Sequence, residues 1–250
     1  WVYSIDMDKD GILWIGNFRV GLVSYNKKTK EYKLIDASEE KESIVSNLIR
    51  KVLVDSRNRI WIGTDDGLTL YDREKEEFIS FLENPRREGS LNSDIIFSIY
   101  EDSRKNIWIG TLEGGLNRYD EETGTFEVFN TSDGLPGNNI FGILEDSEGM
   151  LWLSTNSGIS KFNPEKRTFK NYTTKDGLLD MEYSYNSYFK SKSGELFFGG
   201  RNGLISFYPE AIQENKIAPS TAITEIKLFN KNVKVADKSG ILQKQIVKTE

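Results

Sequence analysis

Two residue types that carry much of enzymatic and metal chemistry are missing: the chain of 250 residues has no Cys and no His. Disulfides, thiolate metal sites and cysteine nucleophiles are thereby excluded. With His go the commonest general base and the commonest ligand for zinc or copper. Catalysis would have to rest on carboxylates, Lys, Tyr, Ser or Thr. Asp65 with Asp66, and Asp180 with Glu182, are paired carboxylates of the kind a glycosidase uses. Such an enzyme needs its two carboxylates facing each other about 5–10 Å apart, and with 39 Asp and Glu adjacent pairs arise by chance. Asp6-Met-Asp-Lys-Asp10-Gly11 matches the front half of a calcium loop, but the twelfth position is Asn17 instead of a bidentate Glu. No metal and no cofactor is expected.

Recognition has better candidates. Five apolar segments each hold an aromatic residue and run into a turn: Ile12-Leu-Trp-Ile-Gly16, Ile60-Trp-Ile-Gly-Thr64, Ile107-Trp-Ile-Gly-Thr111, Leu151-Trp-Leu-Ser-Thr155 and Leu196-Phe-Phe-Gly-Gly200. The residues just after them differ each time: Phe18 and Arg19, Asp65 and Asp66, Leu112 and Glu113, Asn156 and Ser157, Arg201 and Asn202. Variation set on a repeated scaffold is where recognition is built, because rigid strands present adaptable loops. Arg19 and Arg201 can grip uronate or sulfate bidentately, while Asp65, Asp66, Glu113, Asn156 and Asn202 can bond sugar hydroxyls. The plain alternative is that each is an ordinary solvated turn. Longer connectors add Arg86, Arg87, Asn138, Asn139, Asp176 and Tyr185 as second-rank candidates.

The elements that position these turns follow from the repeat. The anchors Trp14, Trp61, Trp108, Trp152 and Phe197 are 47, 47, 44 and 45 residues apart. A period of about 40–45 residues with several short strands per unit marks β-propeller blades. The third unit reads as four strands joined by short turns: Ile95–Glu101, Ile107–Thr111, Leu116–Asp120 and Thr125–Phe129, the last alternating with period two. Superposition gives five four-stranded antiparallel blades at about 1–36, 48–83, 95–130, 139–173 and 183–209, within a propeller domain spanning 1–210. The anchors recur once per blade among Ile and Leu, so they read as packing between blades and not as sugar platforms. Asp8, Asp55, Asp102 and Asp146 each stand six residues before a Trp, in a hairpin turn, and turn chemistry accounts for them without metal.

Net charge is −6 and the pI about 5.1, with both signs interleaved. No basic stripe faces a phosphate backbone, so nucleic acid is not an expected partner. No run of 18 apolar residues exists, Trp1 does not begin a signal peptide, and the chain reads as an excised or processed piece. Residues 211–250 break the pattern. Ala222-Ile-Thr-Glu-Ile-Lys-Leu-Phe229 and Val233-Lys-Val235 read as a linker and the first strands of a second β domain.

The unit Asp-x-x-x-x-Ile-Trp-Ile-Gly-Thr-x-x-Gly-Leu-x-x-Tyr-Asp resembles the regulator-propeller repeats in the sensor region of Bacteroides-type hybrid two-component histidine kinases. Gly194-Glu-Leu-Phe-Phe-Gly-Gly-Arg-Asn-Gly203 with Phe207-Tyr-Pro209 is similar to that family's terminal blade, and the tail from Pro219 to the start of its tyrosine-motif immunoglobulin-like domain. The resemblance implies a periplasmic module without catalysis of its own, which senses oligosaccharides and signals across the membrane as a homodimer. Its membrane helix and kinase would lie outside this chain. Seven blades are usual in the family, so the five here imply the C-terminal part of one propeller. Blade one departs with the longer turn Asn17-Phe-Arg-Val-Gly21, and blade five with Glu182-Tyr-Ser184 where Glu-Phe-Asn is frequent. A carbohydrate-active propeller enzyme and a pure protein-interaction propeller are the competing readings. Streptogramin lyases have similar repeats, but their chemistry needs the missing His.

Overall fold

The computed structural model describes residues 1–37 and 43–212, with the short pieces 227–228 and 231–232. Four antiparallel sheets have four strands each, in simple meander order. They are β1 (Val2–Met7) to β4 (Tyr32–Ile35), β5 (Ile49–Val54) to β8 (Glu77–Phe81), β9 (Ile96–Glu101) to β12 (Thr125–Phe129), and β13 (Ile140–Glu145) to β16 (Thr168–Tyr172). A fifth sheet has three strands among the described residues: β17 (Tyr183–Lys190), β18 (Leu196–Gly200) and β19 (Gly203–Phe207). First strands pack on one another from blade to blade, β1 on β5, β5 on β9, β9 on β13 and β13 on β17. The blades are therefore arrayed around a common centre, as the repeat period predicts.

The Trp strands show why this sequence stacks. In β6 (Ile60–Thr64), β10 (Ile107–Thr111) and β14 (Leu151–Thr155) every residue is buried. A strand covered on both faces reads as a continuous apolar run instead of an alternation. Trp61 joins Ile96, Ile99 and Ile109 of the next blade in one core, and Trp108 joins Ile140, Ile143 and Leu153 in the next. Glycine at the contact lets backbones approach. A Cβ on Gly63 would lie 2.6 Å from Ile96 Cγ2, and one on Gly110 2.7 Å from the Ile140 carbonyl oxygen.

A polar contact repeats with the aromatic one. Asp8, Asp55, Asp102 and Asp146 each accept the indole N–H of the Trp six residues on, at 2.8, 3.0, 2.8 and 2.8 Å. The other carboxylate oxygen of each takes two turn amides, such as those of Arg104 and Asn106 on Asp102. The pair satisfies a buried N–H that would otherwise cost about 1–3 kcal/mol. Asp8 is thus held by indole, turn amides and Arg73. In blade five Phe197 has no N–H to satisfy, and Ser191 stands where the Asp would be, closing its turn by accepting from Glu195 N.

The end blades each leave a face bare. Ile5 is 57% exposed where Val52, Ile99 and Ile143 are buried, and Leu204 is 60% exposed where Leu68, Leu116 and Ile159 are buried. Contacts divide the chain into a unit ending at Ala211 and a second from Ile212. In the second, Lys227 pairs with Asn232 and Leu228 with Lys231 as a short antiparallel hairpin. The strand expected at Val233–Val235, and the rest of the expected immunoglobulin-like start, lie outside the described residues.

Candidate binding face at the axial mouth

Each first strand carries one irregularity at the same place. Val2 pairs with Asn17 and Ser4 with Gly16, so Tyr3 is extra. By the same register Arg50, Phe97 and Phe141 are the extra residues of β5, β9 and β13. A bulge of this kind breaks the alternation and re-aims one side chain, which is why bulges gather at rims and active sites. Blade five widens it: Ser184, Tyr185, Asn186 and Ser187 oppose Gly199 between the pairs Tyr183–Gly200 and Tyr188–Phe198. Asn186 takes φ 56°, a left-handed conformation that Asn tolerates.

The re-aimed side chains meet. Phe97 lies 5.3 Å from Phe141 by ring centroids and stacks on Tyr185 at 5.8 Å with planes 10° apart. Tyr3 sits edge-on to Tyr185 at 6.0 Å and 5.3 Å from Phe18. The Arg50 guanidinium lies over Phe97, Tyr185 and Phe18 at 5.3, 5.5 and 5.9 Å. Each of the five blades contributes its bulge residue, and blades two and three both touch blade five, so the cluster spans the centre of the ring. One residue deeper, Lys51 Nζ stands 5.4 Å over the Tyr188 ring, again blade two against blade five. The Asn186 side chain donates to the Tyr3 carbonyl at 3.3 Å, joining the first and fifth blades.

Asp65 supplies the counter-charge. Both its oxygens bind Arg50, one at Nε and one at Nη2, the latter at 3.0 Å. Burial works against the Arg50 charge, but the Asp65 hydrogen bond and charge outweigh it and hold the guanidinium above its ordinary value. Tyr3 shares a hydrogen bond with Tyr185, which lifts its phenol above the usual value. Such a surface of aromatic faces, a forked donor and a carboxylate can stack a ring and bond its hydroxyls.

Of the residues expected from sequence, Asp65 stands in this cluster, and Tyr185, ranked second, stands at its centre. Arg19, at φ 76°, lies at the edge, its guanidinium 5.8 Å from the Phe18 ring. Asp66, Glu113, Asn156, Arg201 and Asn202 are exposed on the surrounding turns. No hydrogen bond or ion pair joins their side chains to one another among the described residues. The turn backbones are tied to the connectors instead: Arg19 N donates to Asn47 O at 2.8 Å, Glu113 N to Asn139 Oδ1 at 2.7 Å, and Arg201 N to Glu182 O at 3.4 Å. Asn139 also donates its own N–H to Asn156 Oδ1 at 3.4 Å, which makes it a staple between blades three and four. Asn138 accepts from Thr131 N, and Asp176 caps its own turn by accepting from Thr173 N. Arg86 N donates to Asn84 Oδ1, and Arg87 lines a separate cleft of about 310 Å³ beside Phe81, Leu91 and Phe126. One carboxylate of each expected pair is engaged: Asp65 by Arg50, and Asp180, through Oδ1, by the amides of Met181 and Glu182.

Tyr3, Arg50, Phe97 and Phe141 are absent from the expected set. A signal existed: they stand eleven residues before their Trp, and Tyr185 twelve before Phe197.

Residues 43–66, 90–113 and 134–157 match the family described as "Two component regulator propeller". Each match runs from a connector, through bulge and Trp, to the following turn. A curated protein, histidine kinase P4 of Formosa agariphila, is 33% identical over the whole chain, which spans 18% of that protein. Two solved structures from B. thetaiotaomicron are similar in fold, the extracellular domains of the hybrid two component systems BT3049 and BT4673. Their identities are 24% and 25% and their TM-scores 0.72 and 0.71. Each likeness covers 84% of this chain and 28% or 30% of the other. Repeats, register and fold agree: this chain carries repeats that match the two-component regulator propeller family on a β-propeller scaffold.

Proposed function

We propose that the chain is the ligand-sensing propeller of a hybrid two-component histidine kinase, recognising oligosaccharides in the periplasm and signalling across the membrane as a homodimer. One observation carries the reading: five blades each re-aim one bulge residue, four aromatic and one Arg, to a shared mouth where Tyr185 is exposed. Repetition fixes the position while the residue changes, as a recognition surface requires. The similar extracellular domains support the compartment, and the similar histidine kinase supports the output. Among the described residues no helix is long and apolar enough to cross a membrane, so the reading places the anchor and kinase elsewhere in the polypeptide. Ligand binding would favour one arrangement of the propeller against its neighbouring domain, and so one arrangement of the dimer.

Thermal-shift screening of the full extracytoplasmic region against defined oligosaccharides tests this. A specific ligand at about 100 times its Kd adds about 2.7 kcal/mol of stability by mass action. Silence across neutral, sulfated and uronate-containing panels would remove the oligosaccharide reading.

The bare faces of Ile5 and Leu204 support further blades of the same polypeptide stacked on blades one and five. Because the chain has no Cys, a Leu204→Cys variant carries one thiol. Labelling should be fast in these 250 residues alone and strongly slowed in the longer polypeptide. Equal rates would refute the extra blades.

A further inference from the structure

We infer that the axial mouth is the seat of an uncharged sugar ring, stacked on Tyr185 and read through its hydroxyls by the Arg50–Asp65 pair. The inference rests on the sensor reading above and narrows its ligand. Three observations point to it.

The platform is aromatic and reachable. Tyr185 is 38% exposed, and Tyr3 and Phe141 are half-buried around it. Phe97 backs Tyr185 face to face, so the ring is held in plane before a ligand arrives. The C–H face of a pyranose matches such a surface, and a pre-ordered surface spends less entropy on binding.

Arg50 has little charge left to give an anion. Its Nε and Nη2 are committed to Asp65, and the Phe97, Tyr185 and Phe18 rings stand 5.3, 5.5 and 5.9 Å from its guanidinium carbon. Moving a sulfate or carboxylate out of water there would meet a pair already neutralised, with Asp65 repelling it. The same pair suits neighbouring hydroxyls: Nη1 bonds no described residue and can donate, while the remaining lone pairs of Asp65 can accept. Other charged groups stand at the margin, namely Arg19 on the outer edge of Phe18, exposed Asp66 beside Asp65, and Lys51 below on Tyr188.

The widened bulge is specific to this seat. Four residues oppose one in blade five, and that excess carries Tyr185 over the centre, where Phe97 and Arg50 of other blades can reach it. A spacer alone would not need a left-handed Asn186 bonded to blade one.

The test is calorimetric titration of the full extracytoplasmic region with neutral gluco-, manno- and xylo-oligosaccharides, sulfated galactan fragments and alginate oligouronates. An uncharged oligosaccharide should bind the parent protein. Tyr185→Ala should weaken it up to ~10-fold, the upper range of an aromatic contact. The paired change Arg50→Gln with Asp65→Asn should weaken it similarly. Circular dichroism and melting curves identify variants that do not fold, and Tyr185→Phe, which keeps the stacking face, should retain most of the affinity. Neutral-sugar binding that survives both Tyr185→Ala and the paired change overturns the axial seat and leaves the sensor reading standing. Binding of charged glycans alone, lost in Arg19→Gln, overturns the uncharged class. No glycan binding of any kind defeats the oligosaccharide reading and this inference together.

Discussion

The Asp–Trp girdle and the axial mouth are both built once per blade, yet they obey opposite rules. In the girdle of blades one to four the residue pair repeats unchanged and sits within 6% of full burial, with the same indole-to-carboxylate bond each time. At the mouth only the backbone irregularity repeats, while the side chain runs Tyr3, Arg50, Phe97, Phe141, Tyr185. The girdle must satisfy one buried N–H in each blade, and one solution serves all. The mouth has no such common demand, because its side chains meet one another and Tyr185 reaches water. The invariant girdle and the varied mouth are thus separated along a single strand pair, about eleven residues apart in sequence.

The largest effect expected from breaking the contrast is Trp108→Ala. The ring is fully buried among Phe129, Phe162 and Ile140, so its loss should cost about 3–5 kcal/mol. Urea denaturation of the parent and variant measures it, and a cost under about 1 kcal/mol would mean the girdle does not hold the blades together. Gly110→Ala should come next. Its added Cβ meets Ser98 Oγ and the Ile140 carbonyl, the latter at 2.7 Å, and backbone cannot yield cheaply, so about 1–3 kcal/mol of overpacking is expected.

Asp102→Ala sharpens the comparison inside the girdle. It strands the Trp108 indole and two turn amides, for a loss of about 1–3 kcal/mol. Ser191→Ala in blade five removes a turn bond but no indole partner, so its cost should stay under about 1 kcal/mol. The difference between the two in denaturant midpoint isolates what the N–H demands. Equal losses would assign the aspartates to the turn alone.

Alkali offers a milder probe. Burial pushes the Tyr183 phenol up to about 12, with nearby Asp180 adding to it, and burial also raises Tyr71, Tyr100 and Tyr119. In the unfolded chain these phenols ionise near the ordinary value of about 10. The stability they contribute is therefore complete below pH ~10 and is lost as the pH climbs from ~10 through ~12, because the unfolded state releases its protons first. Denaturant midpoints should fall over that window, and Tyr183→Phe should flatten the fall. An unchanged slope would show that Tyr183 ionises equally in both states.

The girdle was legible in the sequence and the mouth was not, for a physical reason. Burial between two sheets demands one residue type, so the Ile-Trp-Ile-Gly-Thr pattern recurs and marks the second strand of each blade. The Asp six residues earlier was equally visible, though its bond to the indole is made only in the fold. A bulge leaves no such trace, since Arg50 stands among the aromatic Tyr3, Phe97 and Phe141 and only a constant offset from the Trp links the four. Asp65 drew attention because a turn varies openly, whereas its partner Arg50 reads as an ordinary strand residue in Ile49-Arg-Lys-Val52. Arg19 and Arg201 drew attention by charge, yet charge alone does not say which turns face the centre.

The smallest expected effect decides whether the contrast holds. Tyr185 stacks on Phe97 and meets Tyr3 and Arg50, but it is 38% exposed and stands on a bulge outside the ladder. Truncation leaves no closed cavity, because solvent already reaches the site. What is lost is the aromatic contact, about 0.5–1.5 kcal/mol, well below the Trp108→Ala cost. Blade five should also keep its stacking, since Phe198 and Leu196 are buried in β18. Comparing the two variants in one denaturation series makes the test. Should Tyr185→Ala match Trp108→Ala, the mouth would be a second core closing the ring, and its varied side chains would need explanation by packing instead of by ligand.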